Sequence, residues 1–214
     1  MIANHIHDAL GQVRKMQELI LSKRNFRGYS GTARVLGGVT ALAGAAFIHF
    51  LPVAHNPNSH LAVWGTVLGV SLILNYGALF RWFFFHKEAE RNPQKLLPAI
   101  DALPALAVGA ILSFALVMHH QYGMLFGVWM TLYGLVHISY RLSLPVENYI
   151  VGLFYILCGA ACLFIFNDFF NPWPMGITFF IGELVGGFIL RGNRQRINHE
   201  TSVSAKMLRR DAHE

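Results

Sequence analysis

Charge is what this chain has least of. Of 214 residues only 13% are charged, against 54% that are hydrophobic, a balance too apolar for an ordinary soluble domain. Acidic groups are the scarcer sign, 11 Asp and Glu against 17 Lys and Arg, which leaves a formal charge of +6. No reading element accompanies that excess, so it does not describe a nucleic-acid surface. Cysteine is also sparse. Cys158 and Cys162 are the two present, and four residues apart they form neither a redox CxxC nor a metal set, which leaves them as packing thiols. Catalytic signatures are missing too: "GYSG" at 28–31 lacks the nucleophile-elbow spacing, and there is no phosphate loop, HExxH or acidic metal pair. The expectation is a protein with no catalytic residues and no cofactor requirement.

What the chain has in abundance is apolar helix. A bilayer core about 30 Å thick needs about 20 apolar residues of helix, and six stretches approach that: Thr32 to Leu51, Leu61 to Phe80, Leu97 to Met118, Gly123 to Tyr140, Tyr149 to Phe166 and Met175 to Leu190. The last is short and follows Pro172 and Pro174, which reads as a span beginning below the membrane surface. No cleavable signal is visible in the first 34 residues, which carry six cations and no clean apolar core.

Orientation follows from the cations, because Lys and Arg stay on the cytoplasmic side. Six lie up to Arg34, four from Arg81 to Lys95, one at Arg141 and six from Arg191 onward, whereas the opposite connections at 52–60, 119–122 and 167–174 have none. The expected fold is therefore an all-α integral membrane protein of the cell (cytoplasmic, inner) membrane. Six transmembrane helices form three hairpins, both termini are cytoplasmic, and an amphipathic helix precedes the spans. That helix covers residues 2–25, with Ile2, Ile6, Leu10, Val13, Met16 and Ile20 near one face. It either lies on the leaflet or packs against the bundle or a second copy. Three regions result: residues 1–31 as cytoplasmic amphipathic helix and turn, 32–191 as transmembrane domain, and 192–214 as basic cytoplasmic tail. The partners implied are the bilayer itself, anionic lipid at the cytoplasmic collar, and another copy of the chain or a membrane-complex partner.

Each hairpin closes at an arginine, Arg81, Arg141 or Arg191, a threefold spacing that suggests parallel repeats around an axis along the membrane normal. Glycines four apart, Gly65 and Gly69, Gly123 and Gly127, Gly182 and Gly186, together with Gly37, Ala41 and Ala45, read as packing seams. With these hairpins, and with "ARVLGGVTALAGAAF", "GLFYILCGAACL" and "FFIGELVGGFILRGN", residues 32–193 resemble the six-span short-repeat membrane protein family that includes the acid-resistance protein HdeD. The resemblance implies a small integral membrane protein linked to acid stress, without catalytic residues to carry over. The long basic amphipathic start and the many histidines on the outer side depart from that family.

Three polar groups stand out inside the spans. Glu183 interrupts "FFIGELVGG", and a charge there costs at least about 3 kcal/mol on insertion scales. It is read either as a proton-accepting or cation-binding group or as a neutral carboxyl hydrogen-bonded to Asn75, Tyr76, Tyr133 or Tyr155. Asp101 and His137 sit one turn inside the cytoplasmic boundary. They either form a polar track with Glu183 or snorkel and pair with Arg81 or Arg141. His49, His55, His60, His119 and His120 fall on the outer side, where imidazoles sense pH, hold a metal or haem, or are simply solvated; no recognised metal spacing is present. Trp64, Trp82, Trp129 and Trp173 read as interface anchors.

The function expected is a non-enzymatic multi-pass protein with a buried polar site, in acid stress or in proton or small-solute handling. The alternatives are an interaction or assembly protein that recruits partners, and haem or metal binding through the outer histidines. Epitope tags at the two ends should both resist protease added to right-side-out vesicles and both be cut in inverted ones. Digestion of either tag from the outside would overturn the orientation.

Overall fold

The computed structural model describes residues 11–13, 28–86, 96–100, 102–139 and 144–211. Among them all regular structure is helical: α1 (Gly31–Phe50), α2 (Pro57–Phe85), α3 (Leu97–Ile100), α4 (Leu103–Met118), α5 (Met124–Ser139), α6 (Glu147–Phe164) and α7 (Trp173–Asp211). By length and apolarity α1, α2, α6 and the Trp173–Arg196 part of α7 are able to cross a membrane, while α4 and α5 are shorter apolar helices. At 16 residues each the latter two reach about 24 Å. Of the expected amphipathic helix only residues 11–13, which are helical, are described; the rest of that expectation lies outside the described residues.

Local chemistry sets the helix starts. The Ser30 hydroxyl accepts from the Ala33 backbone N–H and caps α1, and Asn56 accepts from Ser59 N–H at 2.9 Å and caps α2 ahead of Pro57. Three spans differ from expectation, the second by running from Pro57 to Phe85, earlier and later than the expected Leu61 to Phe80. The third is broken into α3 and α4, because Pro104 has no N–H to give to the Ile100 carbonyl four residues earlier and its ring crowds that carbonyl. The sixth is longer than expected. Pro174 is tolerated in the first turn of α7, and past Leu190 no proline stops the helix, so the basic tail continues it to Asp211.

The helices run in alternating directions, so one end of the bundle carries the start of α1 and the ends of α2 and α5, and the other carries the short turns. The two most extensive contacts join α1 to α7 and α5 to α6. Both are glycine seams. A Cβ at Gly31 would sit 2.5 Å from the Gly187 carbonyl, and one at Gly134 would sit 2.6 Å from the Gly152 carbonyl, so backbone meets backbone as small residues permit in lipid. Hairpin partners also touch: α1 with α2, α4 with α5, α6 with α7. Three hairpins arranged in a ring would need a third seam, between α2 and α4, but these two are not a packed pair.

Several expectations fail at that gap. Gly65 and Gly69, read as a seam, have nothing within 4 Å of an added Cβ, since a small residue permits close approach without compelling it. Of the tryptophans read as interface anchors, Trp64 and Trp82 are buried, and the Trp129 indole is tied inward by a 2.9 Å bond to Ser113 Oγ. Trp64 belongs to the core at the turn end with Ala45, Ile48, Phe126, Met130 and Phe169. Outward-facing residues such as Ile73, Phe80, Phe114 and Phe164 are exposed, as lipid-facing positions must be.

The seams and the gap should respond differently to a methyl group. Gly134→Ala should cost about 1–3 kcal/mol through overpacking, and Gly69→Ala should be neutral or gain about 0.5–1 kcal/mol from helix propensity. Unfolding of the detergent-solubilised variants measures both, and equal responses would contradict the seam assignment.

Candidate functional site: a buried ion pair facing a cavity

Arg34 stands in the first turn of α1, on the same buried stripe as Gly38, Ala41 and Ala45. Its guanidinium points into the bundle and lies over Gly186 of α7, where any Cβ would collide with it; Gly182, one turn away, similarly makes room for the Tyr155 ring. Glu183 lies between these two glycines and is 3% exposed. The pair of glycines read as a helix seam thus serves to admit two large side chains beside the carboxylate.

Every strong acceptor here has a donor. Arg34 Nε donates to Glu183 Oε2 and Nη2 to Oε1, both at 3.0 Å, the parallel two-bond geometry in which guanidinium and carboxylate pair best. Oε1 also accepts from the Tyr133 hydroxyl at 2.8 Å and the Tyr155 hydroxyl at 3.2 Å. Arg34 Nη1 donates to Asn148 Oδ1 at 2.9 Å. Its Nη2 lies 2.7 Å from His137 Nε2. Arginine can only donate, so Nε2 carries the lone pair, and the proton sits on Nδ1, which donates to the Tyr133 carbonyl at 2.9 Å. His137 is therefore neutral in a single tautomer. Aromatic edges complete the enclosure, with Tyr133 and Tyr155 rings at 5.0 Å and nearly perpendicular.

The centre is electrically neutral as a set: one guanidinium, one carboxylate, one neutral imidazole. Desolvating the two ions costs several kcal/mol each, offset only because the geometry and the extra hydrogen bonds are good. One buried group is left over. Asn148 is 1% exposed, and its Nδ2 has no hydrogen-bond partner among the described residues.

A cavity of about 650 Å³ opens onto this centre. Arg34, Tyr133, His137 and Glu183 form part of one wall; Ser71, Asn75 and Tyr76 of α2 form part of another. They lie at one depth, because Gly37 faces Asn75 and Ser71 while the adjacent Gly38 faces Glu183. Leucines and aromatic residues supply most of the remaining lining, including Leu61, Trp64, Phe126 and Phe169 toward the turn end.

No family model, curated protein or solved structure matches the chain. The site is accordingly read from its own geometry. Of the residues singled out from sequence, Glu183 and His137 come together, through Arg34 rather than directly, and Asp101 lies outside the described residues. Tyr133 and Tyr155 bind Glu183 as two of the four expected partners; Asn75 instead donates to the Ser71 carbonyl at 3.0 Å, and Tyr76 lines the cavity. His137 turns inward to Arg34 and away from the boundary. Arg34 and Asn148 were not foreseen. Their signal was present: Arg34 shares a face with glycine and alanine on α1, and Asn148 shares one with Gly152, Tyr155 and Gly159 on α6.

The outer histidines do not form one cluster. His49 packs on Phe50 and Trp173 with centroids at 4.8 and 5.3 Å, while His55 stacks on Phe170 at 4.2 Å and stands 6.0 Å from the buried His60. His119 caps the end of α4, and His120, in the left-handed region at φ 55°, shapes the next turn. No three His, Cys, Asp or Glu side chains are grouped to hold a metal ion among the described residues.

Breaking the pair from one side strands a buried charge. Arg34→Met or Glu183→Leu should each cost about 3–5 kcal/mol, and the double variant Arg34→Met/Glu183→Leu should cost less than either. Chemical unfolding of the four proteins in one detergent measures the cycle, and simple additivity would contradict a coupled pair.

Proposed function

We propose that the chain is a non-enzymatic multi-pass protein of the cytoplasmic membrane that holds a small solute in its central cavity, against the Arg34–Glu183 centre. The observation that carries this reading is the placement of an overall neutral polar centre, its carboxylate supplied with four donors, in the wall of a 650 Å³ cavity that is otherwise mostly apolar. Ligand sites have this composition and a volume of about 300–1,000 Å³. Orientation with both termini in the cytoplasm is supported by the described cations Arg34, Arg81, Arg191, Arg194 and Arg196, which all belong to the end of the bundle where α1 begins.

Holding a solute suits this geometry better than relaying protons. A carrier group must give up and regain its proton in each cycle, whereas Glu183 is locked as an acceptor by four donors at once. Its charge is fixed by Arg34, and the carboxylate serves to position the guanidinium and both tyrosines on the cavity wall.

A cavity-filling variant tests the reading directly. Gly65 lines the cavity, and an added Cβ there meets nothing within 4 Å, so Gly65→Leu should fold and extend its side chain into the space. Native chain purified in mild detergent should retain a small molecule at about one per chain, seen by solvent extraction and mass spectrometry, and Gly65→Leu should lose it. Identical extracts from both proteins would overturn the proposal.

A further inference from the structure

We propose that the molecule held in the cavity is an uncharged, lipid-soluble amphiphile, with a hydroxyl or carbonyl head at the level of Glu183 and an apolar body reaching toward Trp64, and that it enters from the bilayer between α2 and α4. The class and the route both rest on the cavity being a binding site.

Charge decides the class. Arg34 has committed its fork to Glu183 and its other contacts to His137 and Asn148. An anionic head would find the guanidinium already matched, and a cationic one would find the carboxylate matched; either brings in a buried charge without a counterion, the arrangement that costs most. A neutral head finds partners. Asn75 spends one amide hydrogen on the Ser71 carbonyl, which leaves its second hydrogen and its Oδ1, and no described residue bonds the Tyr76 hydroxyl. Both residues line the cavity, so donors and acceptors without net charge face the space opposite the ion pair.

The walls decide the body. Beyond that polar level the lining is mostly apolar, from Leu68 and Leu61 to Trp64, Leu125 and Phe126, with the Ser113 hydroxyl already engaged by the Trp129 indole, which suits a hydrocarbon body. The route follows from the missing seam. Both α2 and α4 border the cavity, yet they do not pack against each other, and α2 buries only His60, Trp64, Leu79 and Trp82 along its 29 residues. Among the described residues the gap therefore opens sideways, toward lipid.

Tryptophan quenching tests the class. Trp64 and Trp129 line the cavity and Trp82 and Trp173 do not, so the reporter is the Trp82→Phe/Trp173→Phe chain in detergent without bromine. Dibrominated octadecanol should quench it saturably at about one probe per chain, and its sulfate ester, permanently charged, should bind at least about tenfold more weakly. Gly65→Leu and, from the α4 wall, Ala110→Leu should each abolish the saturable phase. Equal or tighter binding of the sulfate would overturn the neutral class and leave the cavity standing as a binding site. Absence of saturable quenching by either probe would overturn both. Saturable quenching that survives both filled variants would place the probe outside the cavity and overturn the proposal.

Discussion

A guanidinium or a carboxylate left alone in hydrocarbon is among the costliest things a membrane helix can carry, and in this chain each is tolerable only because the other is 3.0 Å away. That pairing constrains the surroundings. It joins the first apolar helix to the last across 149 residues of sequence, and so closes the bundle end to start. It requires glycine at 186, where a Cβ would strike the guanidinium, and glycine at 182, where it would strike the Tyr155 ring. It also dictates that His137 present a lone pair, because the remaining Nη2 hydrogen of Arg34 points at its Nε2.

The two glycine seams and the gap follow one logic. Where α1 meets α7 and α5 meets α6, backbone carbonyls stand where side chains would otherwise be, and dispersion between close backbones replaces the hydrophobic drive that lipid removes. The facing helices α2 and α4 have no such seam. Between the packed ends at Trp64 and Leu79, the inward stripe of α2 with Leu68 and Asn75 therefore borders a space among the described residues. A ring of three hairpins with two closed seams leaves its third interface as a chamber, and the polar centre lies on the far wall of that chamber.

The apolar helices were legible in the sequence because hydropathy and length act locally, and Glu183 was legible because a lone acid in "FFIGELVGG" needs a compensating partner whatever its role. Arg34 was read as the last cation of a cytoplasmic collar. Its burial depends on which face of α1 meets α7, which is tertiary information, although the alternation of arginine with glycine and alanine on one stripe carried a trace of it. The break before Pro104 is proline chemistry inside an otherwise continuous apolar run, and hydropathy, which sums over the run, does not register it. Gly65 and Gly69 show the converse limit: glycines form a seam at Gly127 and Gly134 on α5 but open into space on α2, and the glycine content of a span does not by itself distinguish the two.

The charge state of Glu183 is the claim on which the remainder stands, and infrared difference spectroscopy of the native chain against Glu183→Gln, reconstituted in lipid at neutral pH, measures it. The ion pair predicts that the native chain contributes a carboxylate antisymmetric stretch that the variant lacks. A protonated carboxylic C=O band in its place would contradict the pair, and with it the neutral, donor-satisfied centre from which the cavity's chemistry is drawn.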